Sequence, residues 1–199
     1  MKNGETGFFG GSFNPVHAGH IGLAKWIADN AELDSVWLSL SPASPFKQHE
    51  MMLPDDLRLQ LLKIAAAPHD SLYVTDIELS LPHPSYTIDA LRHLTRLNPQ
   101  KTFRLIIGAD NVERFCHWKC WQEIAADFGL IVYPRPGYDF ELPSFLLPYH
   151  YNVTILSGTP VFDVSSTEIR QRLISGKSID GMVDPAVAAV LQRSIQSKK

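Results

Sequence analysis

The 199-residue chain predicts an α/β fold: a doubly wound parallel sheet with helices on both faces, followed by a small C-terminal helical segment. Short apolar runs alternate with stretches of helical spacing, which implies right-handed βαβ units and a sheet covered on both faces. The polar clusters at 10–20, 41–47 and 108–110 each follow a predicted strand, where ligands bind in such sheets.

Residues 6–10 read as a short buried strand. Ile21, Ala24, Ile27 and Ala28 give residues 18–30 helical spacing. Val36 to Leu40 is a second strand, and Pro42, Pro45 and Pro54 mark 41–54 as a loop. Leu53-Pro54-Asp55-Asp56 opens a helix to about Ala67, on apolar Leu57, Leu61, Leu62 and Ile64. Leu72–Thr75 is a strand, and Ser85-Tyr86-Thr87 opens a helix through Leu91 and Leu94. Phe103–Ile107 is a strand running into Gly108-Ala109-Asp110. A short helical stretch near 121–127 precedes strands Leu130–Tyr133 and Val153–Leu156. Residues 134–150, with four prolines, read as a long irregular loop. Ser165–Ile174 and Pro185–Ile195 are the last two helices. No boundary separates domains, so residues 1–199 read as one domain, with 165–199 its C-terminal helical part.

Composition narrows the function classes. Hydrophobic residues make up 45% and charged residues 20%, as in ordinary soluble proteins. A net charge of −3 without a basic stripe gives no support for nucleic-acid binding. Cys116 and Cys120 are too few for a disulfide scaffold and lack zinc-pair spacing, so reduced thiols are expected. There is no apolar leader and no transmembrane run, so a cytoplasmic protein without a membrane partner is expected.

The densest motif is Gly10-Gly11-Ser12-Phe13-Asn14-Pro15-Val16-His17-Ala18-Gly19-His20, a strand-to-helix turn. Gly10 and Gly11 allow close backbone approach, and Pro15 suits a tight turn. His17 and His20 are three apart and share a helix face. A helix start there presents N–H groups and a positive dipole end to an anion, and imidazoles add donors. Neither a Gly-Lys-Ser/Thr loop nor G-x-G-x-x-G is present, which disfavours kinase and dehydrogenase chemistry. A second cluster, Ser165-Ser166-Thr167-Glu168-Ile169-Arg170, fits a capping box at Ser165 and Glu168. It also sets hydroxyls and a guanidinium at a helix start, a seat for a polyphosphate.

Together, Gly11-x-Phe13-x-Pro15-x-His17-x-Gly19-His20 and Ser166-Thr167-x-Ile169-Arg170 resemble the paired signatures of the adenylyl- and cytidylyltransferase superfamily. Further segments resemble its bacterial nicotinate-mononucleotide adenylyltransferase branch: Ser44-Pro45-Phe46-Lys47, Ser85-Tyr86-Thr87, Ile107-Gly108-Ala109-Asp110, Trp118-Lys119 and Tyr133-Pro134-Arg135-Pro136-Gly137. The resemblance implies a Rossmann-like fold and adenylyl transfer from ATP to nicotinate mononucleotide, with Mg²⁺ bound mainly through the ATP phosphates. It implies that His17, His20, Lys47 and Arg170 are catalytic. It implies ATP binding by Gly10, Gly11, Ser12, Phe13, Gly108, Asp110, Ser165, Ser166 and Thr167. Thr87, Trp118, Lys119 and Arg135 would bind the mononucleotide. Asp110 and Thr87 read equally as helix caps, Trp118 as packing, and Arg58 as an exposed charge. Trp26, Trp37 and Trp121 read as core or interface.

Asn14 stands where many family members carry Asp, so this position is not an obligatory carboxylate metal ligand here. Ser12 replaces a common Thr, and Phe46 precedes Lys47 in place of a frequent His. Nicotinamide mononucleotide and phosphopantetheine are alternative acceptors, and a non-catalytic nucleotide sensor is the alternative outside catalysis. Whether the chain forms a homo-oligomer is left open.

Overall fold

Strand β1 (Glu5–Gly11) lies inside a six-stranded sheet in a computed structural model of the chain, which describes residues 4–42, 52–135 and 140–196. The other strands are β2 (Ser35–Leu40), β3 (Leu72–Thr75), β4 (Thr102–Gly108), β5 (Leu130–Tyr133) and β6 (Val153–Ile155). All pairings are parallel, in the order β3-β2-β1-β4-β5-β6. The chain winds outward from β1 to β3, returns to the centre at β4 and winds the other way. The reversal leaves a crevice beyond the carboxyl ends of β1 and β4, the place where doubly wound sheets bind ligands.

Side chains alternate across the sheet, so each strand feeds two cores. Phe9, Val36, Leu38, Leu40, Ile106, Ile131 and Tyr133 face one; Phe8, Phe103, Leu105, Ile107, Leu130 and Val132 face the other. Burial on both faces is why these strands read as apolar runs. Helices α1 (Ala18–Asn30) and α2 (Asp55–Ala66) cover the first face. Helix α1 buries Ile21, Ala24, Ile27 and Ala28 and ends where Glu32 takes φ 54. Ile27 is fully buried, so its burial is worth about 2 kcal/mol, and Ile27→Ala costs about 2–5 kcal/mol.

Helix α3 (Ile77–Ser80) follows β3. Helices α4 (Thr87–Leu97), α5 (Ala109–Val112) and α6 (Trp121–Glu123) lie on the second face, through Ile88, Leu91, Leu94, Val112 and Trp121. The last two, α7 (Ser166–Ile174) and α8 (Pro185–Gln196), return to the first face through Ile169, Val187 and Leu191. Among the described residues, no helix is long and apolar enough to cross a membrane.

The sequence expectations hold for all six strands and the long helices, with ends shifted by a residue or two. Several short elements differ. Helices α3 and α5 were not expected, because a single turn is too short to show a period. Residues 144–152, which begin inside the stretch 134–150 expected to be irregular, form consecutive 3-10 turns around buried Leu146. A repeat of three residues per turn leaves no 3.6-residue signature.

Candidate active site

The turn after β1 reverses at Phe13, not at its glycines. Phe13 has φ 40, whereas neither Gly10 nor Gly11 has a positive φ. Gly11 matters for space instead: a Cβ there would sit 3.0 Å from the Phe13 ring, tighter than normal contact. The Phe13 ring is 1% exposed and packs edge-on to Phe9 and to His20, at 6.2 and 5.0 Å. That burial offsets the cost of the left-handed backbone, which for an L residue is about 1–2 kcal/mol.

His17 is the N-cap of α1 and His20 lies one turn in. Their rings stack at 3.7 Å, and the His17 N–H donates to His20 Nδ1 at 3.3 Å. His20 Nδ1 is therefore the acceptor nitrogen, and the proton of the neutral ring sits on Nε2. Burial pushes His17 down to about 4, and the nearby Arg135 charge adds to this. His20 is held well below the ordinary histidine range by burial, then by His17 and Arg135. Both imidazoles are neutral at pH 7 in this state, so they offer N–H groups and lone pairs rather than charge. The helix start is also less open than its sequence implies, since the Ala18 N–H donates to Met182 O at 2.9 Å.

Helix α7 meets this turn directly. Ser165 caps it, accepting the Glu168 N–H at 3.1 Å. The capping box is half formed, because the Glu168 carboxylate accepts from Arg172 Nε at 2.9 Å. Ser166 Oγ donates to Pro15 O at 2.9 Å, and Arg170 Nη1 donates to Asn14 O at 2.8 Å while Nη2 reaches Thr167 Oγ1. Segments about 150 residues apart thus close on one another. The Asn14 Oδ1 accepts the Leu53 N–H at 2.9 Å, so this side chain ties the turn to the approach of α2.

The ends of β4 and β5 form the opposite wall. Gly108, not Asp110, is the N-cap of α5, and a Cβ on Gly108 would collide with the Asp110 carboxylate and the Tyr133 ring. Asp110 Oδ1 accepts from Arg135 Nε at 3.4 Å, and the Arg135 guanidinium lies 5.2 Å over the Tyr133 ring. Between the walls is a cleft of about 530 Å³, lined by Gly10 to Phe13, His17, His20, Arg135, Phe162, Ser165 and Ser166 among others. Two polar atoms of its lining residues, His17 Nδ1 and Thr159 Oγ1, are buried without a hydrogen-bond partner.

Gly108, Asp110, Thr167 and Arg170 stand beside this cleft without lining it, and Thr87, Trp118 and Lys119 do not line it either. Thr87 is the first residue of α4, and Tyr86 is the N-cap. Trp118 is half-buried and its ring lies 5.5 Å from Phe115, so packing is part of its role. Lys119 Nζ binds Asp89 at 2.8 Å and lies 4.5 Å over the Tyr86 ring. The 86–89 and 118–119 segments are therefore joined to each other. Lys47 lies outside the described residues, as do its neighbours 44–46 and residues 136–137. Trp26 and Trp121 pack against the cores, as does Trp37, whose ring carries Lys101 at 5.9 Å.

Arg58 was open between an exposed charge and a functional one. Rather than an exposed charge, it is fully buried. It belongs to the inward stripe 58, 61, 62, 65 of α2, a helical spacing that the sequence displays once Arg58 is counted with the leucines. Glu78 is also buried, accepting from Ser39 Oγ at 2.7 Å and Ser41 Oγ at 3.4 Å, and burial pushes its carboxyl up. It sits on the one-turn helix α3, where no periodicity could mark it.

The comparisons agree with this geometry. The cytidylyltransferase-like family model matches residues 8–172. A Bacteroides fragilis protein named "Probable nicotinate-nucleotide adenylyltransferase" is 41% identical over 94% of this chain and 90% of its own length. One of the same name from Geobacillus kaustophilus is 35% identical over 95% of this chain and 84% of its own. The structure of Plasmodium falciparum nicotinic acid mononucleotide adenylyltransferase complexed with NaAD superposes with a TM-score of 0.74 at 16% identity, covering 96% of this chain and 95% of that one. The chain belongs to the cytidylyltransferase-like family, in its nicotinate-nucleotide adenylyltransferase branch.

Proposed function

We propose that this protein transfers the adenylyl group of ATP to nicotinate mononucleotide, giving nicotinate adenine dinucleotide and pyrophosphate in NAD biosynthesis. A 5′-phosphate oxygen of the mononucleotide bonds to the α-phosphorus of ATP as the bond to the β-phosphate oxygen breaks. The electron pair leaves on pyrophosphate. Positioning and charge stabilisation carry such a transfer, with no covalent intermediate on the protein.

The observation that carries this reading is the closure of 10–20 and 165–170 on one cleft at the reversal of strand order. The His17 and His20 rings would meet the phosphates, His20 through its Nε2–H, with Gly10, Gly11, Ser12 and Phe13 as backbone wall. Ser165, Ser166, Thr167 and Arg170 would hold the far phosphates. Gly108 and Asp110 would take ribose. Arg135, released from Asp110, would add a cation, and Lys47 another. Thr87, Trp118 and Lys119 would receive the pyridine ring. Mg²⁺ neutralises triphosphate charge when bound. The donors on the cleft are imidazoles, hydroxyls and N–H groups, and the Asn14 Oδ1 is committed to Leu53, a set that suits an ion arriving on the phosphates. The same reading takes residues 1–199 as one cytoplasmic nucleotidyltransferase domain.

The test is pyrophosphate release from ATP and Mg²⁺ with nicotinate mononucleotide, its amide analogue or phosphopantetheine. Turnover is expected with nicotinate mononucleotide above the others. No turnover with any acceptor would refute the reading, and preference for another acceptor would refute its substrate.

A further inference from the structure

We propose that Arg58 is a positioning residue for adenylyl transfer, its buried guanidinium fixing the Ser12–Phe13 peptide and so the turn that meets the triphosphate. Arg58 is not among the residues that line the cleft; it acts on the Ser12 backbone behind it.

The guanidinium is 0% exposed and uses four of its five N–H groups. Nη1 donates to Ser12 O and, at 3.0 Å, to Ser41 O. Nε donates to Leu53 O at 3.2 Å, and Nη2 pairs with Asp55 at 2.6 Å. One planar group thus holds the chain after β1, the chain after β2 and the entry to α2. A buried cation is tolerated only when its donors are satisfied, so these carbonyls are held as firmly as they hold it.

The position of the contact gives it a consequence. Ser12 O belongs to the peptide whose next residue, Phe13, takes the left-handed φ 40 that L residues rarely adopt. Rotation of that peptide would release the strain at Phe13 and swing its ring away from His20, which it meets edge-on at 5.0 Å. Arg58 blocks the rotation by binding the carbonyl. Ser41 braces the same point: its N–H donates to Gly11 O at 2.9 Å and its hydroxyl to buried Glu78. Both buried charged side chains among the described residues, Arg58 and Glu78, therefore converge on Ser41 beside the turn. Lysine keeps the charge but not the fork, and cannot span Ser12, Ser41, Leu53 and Asp55 together.

The kinetic part of the test rests on the adenylyl-transfer reading; direct ATP binding does not. Arg58→Lys, Asp55→Asn and Leu61→Ala are compared with the parent by melting temperature, calorimetric titration with ATP, and kcat and KM for each substrate. Leu61 is fully buried three residues further along α2 and controls for lost stability alone. Arg58→Lys is expected to lose ~10²-fold in kcat/KM for ATP, the scale of a misplaced reacting group. Its ATP affinity falls at least tenfold, while KM for the mononucleotide stays within twofold. Asp55→Asn, at the partly exposed end of the pair, shows the same pattern at a smaller scale. Leu61→Ala lowers the melting temperature but not ATP affinity. The proposal is overturned if folded Arg58→Lys binds ATP within twofold of the parent, or if Leu61→Ala weakens ATP as much. If the parent binds ATP without turning over any acceptor, the adenylyl-transfer reading fails and the binding arm still decides the role of Arg58.

Discussion

His17 gives a pH dependence whose sign and size follow from its burial. Its folded pKa is about 4 against an ordinary 6.5, with burial the main cause and the Arg135 charge the second. Between those values the unfolded chain binds a proton that the folded one does not, so stability falls as pH falls from about 6.5 to about 4. A shift of this size corresponds to about 3 kcal/mol at its limit; partial solvent access brings the expected loss at pH 5 to about 1–2 kcal/mol. His20 acts in the same direction and Glu78, its carboxyl raised by burial, in the opposite one. The quantity to read is therefore a difference. Urea unfolding of the parent and of His17→Gln is followed at pH 8, 6.5 and 5 at constant ionic strength. The variant cannot titrate at that position, and it also relieves His20 of a neighbouring ring. Its stability should gain on the parent by about 1–2 kcal/mol between pH 8 and 5. Parallel curves would show that His17 is not held neutral by its surroundings. ATP should reverse the effect, because phosphate oxygens favour imidazolium. Titration near pH 6 in buffers of different ionisation enthalpy should show proton uptake on binding.

Three further outcomes follow from the contacts. His20→Ala should lower kcat by ~10²–10³ while leaving the melting temperature within a few degrees, and near-normal turnover would remove its assigned role. Ser166→Ala deletes the hydroxyl that holds Pro15 O and should cost about 1 kcal/mol in urea unfolding, together with weaker ATP binding; unchanged ATP affinity would separate α7 from the phosphate site. Trp118→Ala should mainly raise KM for the mononucleotide, and a change confined to ATP would move the pyridine elsewhere.

The sheet was legible because burial on both faces writes apolar runs into β1, β4 and β5, and the long helices because Ile21, Ala24, Ile27 and Ala28 repeat at 3.6 residues. The opening motif was legible because Gly, Pro and His together have few other uses. What the sequence hid is contact between distant polar groups. Nothing in Asn14, Leu53 or Pro15 announces that an amide, an N–H and a carbonyl on different segments will bond. Charge alone leaves Arg58 open to an exposed reading, although its spacing puts it with Leu61, Leu62 and Ala65. The positive φ falls on Phe13, whose ring packs between Phe9 and His20.

These polar contacts share a destination. Gly11 O is held by Ser41, Ser12 O by Arg58, Asn14 by Leu53 and Arg170, Pro15 O by Ser166, and the Ala18 N–H by Met182. Nearly every residue of the turn is thus committed to a different element: β2's exit, α2, α7 and the segment before α8. In catalysis by positioning, donors help only if they need not reorganise when charge develops. A turn anchored from four directions meets that condition before any nucleotide arrives. It also explains why the two imidazoles can stay buried, stacked and neutral. Their placement is secured by backbone bonds behind them, with His20 Nδ1 accepting the His17 N–H. The helix and loop contacts that look remote from chemistry are then part of it, because loosening any one frees the strained Phe13 backbone that the others hold in place.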